Sequence, residues 1–313
     1  MTDLPPLFDG FDFDVSVLPG FPDVHEAYRV LRDQKDMVCG AYALTYLLRA
    51  HGITSRGTDF DYLTVDHVAE AAGTALEPHN AERQNRVEEL ISTDEIPADR
   101  ASTWFMHDYF DTNLSVVEDE GGTSPDGLVV ACKAVSEGKI EAIPVPAVHD
   151  NAVQLNASRF ESLLDAMMGG DLPVQPICNY NLGHTLAPGG LLGHKYNLVA
   201  LLTQWDDPSY FRTLDWDVGH FTTIAGRITR SGSEERYLAI RDSYKTFGWD
   251  GYHLQPESYI RQGLVRADDH RDGGVLLVTP AEDSDDVRDW LAAHDLEPGL
   301  WDNGSAYTGE NDD

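Results

Sequence analysis

The chain has 313 residues, 22 basic against 54 acidic, for a formal charge of −32 with 42% hydrophobic residues. That length supports one large domain or two modest ones around a real core and excludes a peptide or a disordered tail. A negative surplus of this size repels phosphates and anionic headgroups, so nucleic acid and bare membrane drop out as partners.

With only five lysines, and acids spread along the whole chain, the charge reads as an adaptation to high salt, where screening makes self-repulsion cheap. No run of about 18 apolar residues is present to span a bilayer. The N-terminal segment lacks a basic n-region and an apolar h-region, so a cytoplasmic protein is expected. Cys39, Cys132 and Cys178 are odd in number and widely spaced, with no CxxC pair and no HExxH elsewhere. A disulfide framework and a zinc site are therefore not expected, and neither a cofactor nor a metal is implied.

In chain order, the first half reads as helical. Cys39 to His51 carries a stripe of Ala43, Leu44, Leu47 and Leu48 and stops at Gly52. Thr64 is placed to cap a short helix running through His67 to Ala72. Ser124-Pro125 opens a helix toward Gly138 through Leu128, Val129, Cys132 and Val135. Ser158 and Glu161 have the spacing of a capping box before Leu163, Leu164 and Met167, with Gly169-Gly170 as the stop.

After residue 171 the period changes. Val174–Cys178, Lys195–Leu202, Phe221–Ile228, Arg236–Arg241 and Gly274–Thr279 are short β-rich runs, and two helices follow at Pro256–Gln262 and Ser284–His294. Helices first and antiparallel strands later predict an α+β fold. A single domain is expected over 1–295, with a helical portion at about 25–170, a sheet portion at about 171–280 and a disordered acidic tail at 296–313.

The segment from Gln34 to Leu44 carries the most chemistry. A cysteine in the first turn of a helix sits at the positive end of its dipole, where free N–H groups favour a thiolate. Gly40 is expected to admit a substrate backbone, and Gln34 to point its amide at an oxyanion. A thiolate nucleophile also needs a histidine to carry its proton and an acceptor to orient that histidine. Gly219-His220 opens one strand, Ser231-Gly232-Ser233 supplies a turn and Asp242 closes the next strand. Folded symmetrically about residue 231, the hairpin sets His220 opposite Asp242. His194, with Asp206 and Asp207, is the weaker alternative because the midpoint falls inside a strand, and His184 has no partner acid.

Gln34, the Cys39-Gly40 helix start, Gly219-His220 and Asp242 together resemble papain-like cysteine peptidases, closest to the family of bacteriocin-leader-processing, double-glycine peptidases. The resemblance implies a papain-like fold, a catalytic Cys39, a general acid/base His220, an orienting Asp242 and an oxyanion-hole Gln34. It also implies a peptide or protein substrate. Four residues separate Gln34 from Cys39, one fewer than is usual in papain-like enzymes. Acyl transfer through the same thioester and an inactive peptide-binding module are the alternatives. Cys132 and Cys178 read as structural. The aromatic cluster Tyr244, Phe247, Trp249 and Tyr252 reads as a shield over the His–Asp pair or as loop packing, and Gly189–Gly193 as a loop.

Overall fold

A computed structural model describes residues 12–55, 62–97, 110–118, 120–186, 205–206, 218–266 and 272–307. Within them the chain is α+β, as expected, with eight α-helices and a mostly antiparallel seven-stranded sheet. The strands of that sheet are β1 (Phe13–Val17), β4 (Ile140–Pro146), β7 (Gln175–Asn181), β8 (Gly219–Arg230), β9 (Tyr237–Arg241), β10 (Tyr252–Pro256) and β11 (Gly274–Pro280). The remaining strands form two small two-stranded pairs, β2 (Ala75–Leu76) with β3 (Ser115–Val116) and β5 (Val148–His149) with β6 (Ala152–Val153). The main sheet runs β10-β9-β8-β7-β11-β4, and β1 pairs with the far half of β8.

The sheet is not confined to 171–280, because β1 and β4 come from the stretch expected to be helical or irregular. β4 contains Pro144 and Pro146 and hid for that reason; it occupies the sheet edge, where a missing N–H costs no ladder bond. The expected strand at Lys195–Leu202 lies outside the described residues.

Helix α1 (Phe21–Arg29) packs on α2 (Cys39–Ala50), which is almost wholly buried between the sheet and the helices α3 (Val65–Ala71) and α5 (Pro125–Val135). Thr64 accepts from the His67 N–H and Ser124 from the Gly127 N–H, the two caps expected from sequence. Helix α4 (Pro78–Ser92) is polar nearly throughout and buries only Asn80 and Val87. Helix α6 (Ala157–Gly169) is capped by Asn156, not Ser158, because Asn156 Oδ1 receives the Arg159 N–H at 3.1 Å while Glu161 is drawn off to Arg236. Gly170, at φ 82°, ends it. Helices α7 (Glu257–Val265) and α8 (Ser284–Ala293) complete the set.

Residues 296–307 are not a disordered tail. Leu296 and Trp301 are buried, Gly299 N–H donates to the Pro144 carbonyl at 2.9 Å, and Trp301 Nε1 donates to Asn179 Oδ1 at 3.0 Å. The apolar content of Leu296 and Trp301 outweighs the acidic neighbours that made the stretch read as solvent-exposed. No helix among the described residues is long and apolar enough to cross a membrane.

Candidate active site

Cys39 is the first residue of α2, and Val38 before it offers no side-chain cap to the helix's free N–H groups. The approach to Cys39 turns through Met37 in the left-handed region at φ 68°. Cys39 is partly buried, whereas Cys132 and Cys178 are fully so, and burial pushes both of those thiols up to about 12. Gly40 does not face a substrate channel. A Cβ there would lie 2.9 Å from Leu128 Cδ1 and 3.2 Å from a Phe221 ring carbon, so glycine lets α2 seat against α5 and β8.

His220 is the second residue of β8, and Asp242 follows the last residue of β9. His220 Nε2 lies 3.0 Å from Asp242 Oδ1, and the Cys39 thiol lies within electrostatic reach of the imidazole. The pairing is close, but the register differs from the symmetric hairpin. Thr223 pairs with Arg241 and Ile228 with Tyr237, so 220 projects opposite 244 instead of 242. An irregularity between Ile224 and Gly226 and a connection longer than the Ser-Gly-Ser turn shift the strands, and the two side chains meet diagonally.

Burial opposes a charge on His220, but the Asp242 charge, its hydrogen bond and the Cys39 thiol outweigh it, so the imidazole holds its proton well above the ordinary histidine range. Burial likewise works against the Asp242 carboxylate, yet His220 and then His253 hold it well below the usual carboxylate range. Asp242 is completely buried and accepts three hydrogen bonds: the His220 bond, the Tyr244 N–H at 2.9 Å on the same oxygen, and His253 Nε2 at 3.2 Å on Oδ2.

His253 was not legible in the sequence, because it lies on β10, within a stretch read as an aromatic loop. Its tautomer is fixed by Gln255, whose Nε2 donates to His253 Nδ1 at 3.1 Å. Gln255 is itself held at both ends by the backbone of Leu186, with Leu186 N–H on Oε1 at 2.7 Å and Nε2 on the Leu186 carbonyl at 3.0 Å. With Nδ1 accepting from Gln255, His253 turns its Nε2–H to the carboxylate.

Of the aromatic cluster, Tyr244 stacks on His220 with centroids 5.6 Å apart, and Phe247 packs on Tyr244. Trp249 is 64% exposed, and Tyr252 joins β10 and receives the Arg241 Nε–H. Arg241, beside Asp242, is buried among the rings of Phe21, Tyr28, Tyr46 and Tyr252. Gln34 is buried, its backbone N–H donates to the Ser243 carbonyl, and its Oε1 has no hydrogen-bond partner among the described residues. Tyr244 thus stacks on His220 and lies within electrostatic reach of Gln34 and Cys39. His184 sits in a 3-10 turn and Asp206 bonds Ser233, while His194 and Asp207 lie outside the described residues.

Fold and site together define an α+β protein whose sheet presents a buried histidine–aspartate pair to a cysteine at a helix N-terminus. The chain belongs to a family of unknown function, DUF6885, whose model matches residues 18–302 and so spans every one of these positions. A search of curated proteins gave no match.

Proposed function

We propose that the chain is a cysteine-dependent hydrolase of papain-like fold that cleaves a peptide or amide bond. The observation that carries the reading is the buried His220–Asp242 pair, 3.0 Å apart, within electrostatic reach of a cysteine at the first position of a helix.

The chemistry follows from where the proton sits. Asp242 holds the His220 Nε2–H, so Nδ1 is the nitrogen that takes the Cys39 proton. Sγ then bonds the substrate carbonyl carbon, and the carbonyl oxygen becomes an oxyanion. The Cys39 backbone N–H, unpaired within the helix, and one amide hydrogen of Gln34 receive it. His220 returns the proton from Nδ1 to the leaving amine as the C–N bond breaks. Nδ1 next takes a proton from water, whose oxygen attacks the thioester carbon and releases the acid and the thiol. Tyr244, stacked on the imidazole, keeps water from the His–Asp bond and so strengthens it. The Asp242 carboxylate does not take up the proton; its three donors keep it ionised throughout.

We place the activity inside the cell, since the two buried thiols and Cys39 are all free. Incubation with a mixture of peptides of defined sequence, followed by mass spectrometry, tests the reaction. New termini formed by the native chain and absent with Cys39→Ala are expected. Identical digests from the two would overturn the reading, and amine adducts in place of free acids would point to acyl transfer.

A further inference from the structure

Three neighbouring strands place the histidine–aspartate pair and a second imidazole in one row. His220 stands on β8 and His253 on β10, the strands that flank β9 on either side, and Asp242 follows the end of β9 between them. Tyr252 pairs with Arg241 and His253 with Ile240, so His253 shares the face that Ile240 and, two residues on, Asp242 present. The carboxylate is gripped from both sides. Its Oδ1 faces His220 Nε2 at 3.0 Å and takes the Tyr244 N–H at 2.9 Å, whereas Oδ2 has His253 Nε2, at 3.2 Å, as its one hydrogen-bond partner among the described residues.

The main chain of Asp242 is pinned as well. Its N–H donates to the Gly251 carbonyl at 2.8 Å, and its carbonyl accepts from the Tyr28 hydroxyl at 2.7 Å. What remains is the tilt of the carboxylate about its Cβ–Cγ bond, a soft torsion. Donors on one oxygen alone leave that plane free to swing, and a donor on each oxygen fixes it.

His253 is itself set from behind. Gln255, two residues along β10 and on the same face, gives its Nε2–H to His253 Nδ1 at 3.1 Å, which leaves Nε2 as the nitrogen that donates. Gln255 keeps that orientation because Leu186 N–H holds its Oε1 and the Leu186 carbonyl holds its Nε2. His253 and Gln255 are both buried. A buried polar chain in which every member is satisfied makes its parts rigid, and this one ends on the carboxylate that faces His220.

We propose that His253 is a positioning residue for the reaction: held by Gln255, its Nε2–H fixes the second oxygen of Asp242 and so keeps the first aligned on His220. The reaction it serves rests on the hydrolase reading, but the alignment is measurable without catalysis. Five hydroxyls also face the carboxylate, Tyr28 from α1, Tyr42 and Tyr46 from α2, Tyr180 from β7 and Tyr244 after β9, and burial makes each of them harder to ionise, so they stay uncharged through neutral pH. The Cys39 thiol lies within reach of His220, and Arg241 keeps its charge at every pH while bonding Tyr252 and Thr223. Against that constant background, an Oδ2 stripped of its donor either swings out of line or takes up a proton. Both responses weaken the hold of Oδ1 on the His220 proton.

The test follows the His220 ring by NMR across pH 5–10 in the full chain carrying 15N-labelled histidine, with its signals assigned by their loss in His220→Ala. His253→Phe keeps the bulk and removes the donor, His253→Gln keeps a donor near the position of Nε2, and Gln255→Leu leaves His253 in place but unset. His220 is expected to bind its proton about tenfold more weakly in His253→Phe, the low end of what a charge-assisted hydrogen bond is worth. His253→Gln is expected to restore most of that loss, and Gln255→Leu to shift His220 in the same direction by less. A merely structural role would lower stability and leave the His220 midpoint of the folded chain unmoved. A midpoint unchanged or raised in His253→Phe, or in Gln255→Leu should His253→Phe not fold, overturns the proposal, as does a His253→Gln midpoint as low as that of His253→Phe. Peptide cleavage is scored separately: a lowered midpoint in a chain that cuts no peptide keeps the positioning role without the hydrolase, and an unmoved midpoint in a chain that cuts keeps the hydrolase without the positioning role.

Discussion

Replacing Asp242 by asparagine changes one atom and removes the one acceptor that no other group in the site supplies. If the new Nδ2 takes the place of Oδ1, it meets the His220 Nε2–H and the Tyr244 N–H; if it takes the place of Oδ2, it meets the His253 Nε2–H. His253 gains nothing by changing tautomer, because its Nδ1 already accepts from Gln255, and turning Gln255 over would break both of its bonds to Leu186. One buried donor is left facing another in either orientation, and a charge-assisted bond to His220 is lost. Removing one member of a buried charge network costs about 3–5 kcal/mol, a large part of the roughly 5–15 kcal/mol that holds a domain together. Urea unfolding at pH 7 measures the stability, and the rate of Cys39 alkylation at pH 6 measures the proton partner. Asp242→Asn is expected to lose about 3–5 kcal/mol and most of the alkylation rate. A loss under about 1 kcal/mol, the worth of one ordinary hydrogen bond, with the rate retained, would refute the three-donor description.

Three further outcomes follow from the same contacts. Gly251 lies at φ 83°, and a Cβ there would collide with the Tyr28 hydroxyl, which donates to the Asp242 carbonyl at 2.7 Å. Gly251→Ala is accordingly expected to cost about 1–3 kcal/mol by overpacking in thermal unfolding and to slow alkylation. Trp301→Ala is expected to cost about 3–5 kcal/mol, the range for emptying a large aromatic site, whereas a loose tail would give no change in denaturant midpoint. The His220–Asp242 pair also sets a pH dependence. A carboxylate held low stabilises the fold above the unfolded value of about 3.9, and that part is lost as pH falls through the depressed native value. An imidazole held high stabilises fully below about 6.5, and that part is lost as pH rises through the raised native value. The stability difference between the native chain and His220→Ala is expected to be greatest between about pH 4 and 6.5, as read from urea midpoints, and to shrink on both sides. A difference that grew from pH 7 to 9 would reverse the sign.

The parts of the site that the sequence discloses are those encoded by local rules. The Cys39 helix, the Thr64 and Ser124 caps and the two strands bearing His220 and Asp242 each follow from a capping residue or an alternating run. What stays hidden depends on tertiary placement. Helix α4 carries only a short apolar stripe, Val87, Leu90 and Ile91, which packs on Ile96 and not on the main core, and β4 carries two prolines that only an edge position tolerates. His253 follows Tyr252 in a loop-like stretch, and nothing local shows that β10 pairs beside β9 and swings it onto Asp242. Gly40 shows the converse, a residue whose position beside the nucleophile suggested substrate contact and whose neighbours, Leu128 and Phe221, are distant in sequence.

The central claim is that His220 is the proton partner of Cys39. The most direct measurement is the pH dependence of iodoacetamide alkylation at Cys39 in the native chain and in His220→Ala, with both folded by circular dichroism. The native chain is expected to react faster at pH 6–7 by about a hundredfold, the lower end of what a positioned proton acceptor contributes, with the two curves converging at pH 9. Superimposable curves across the whole range would contradict the account.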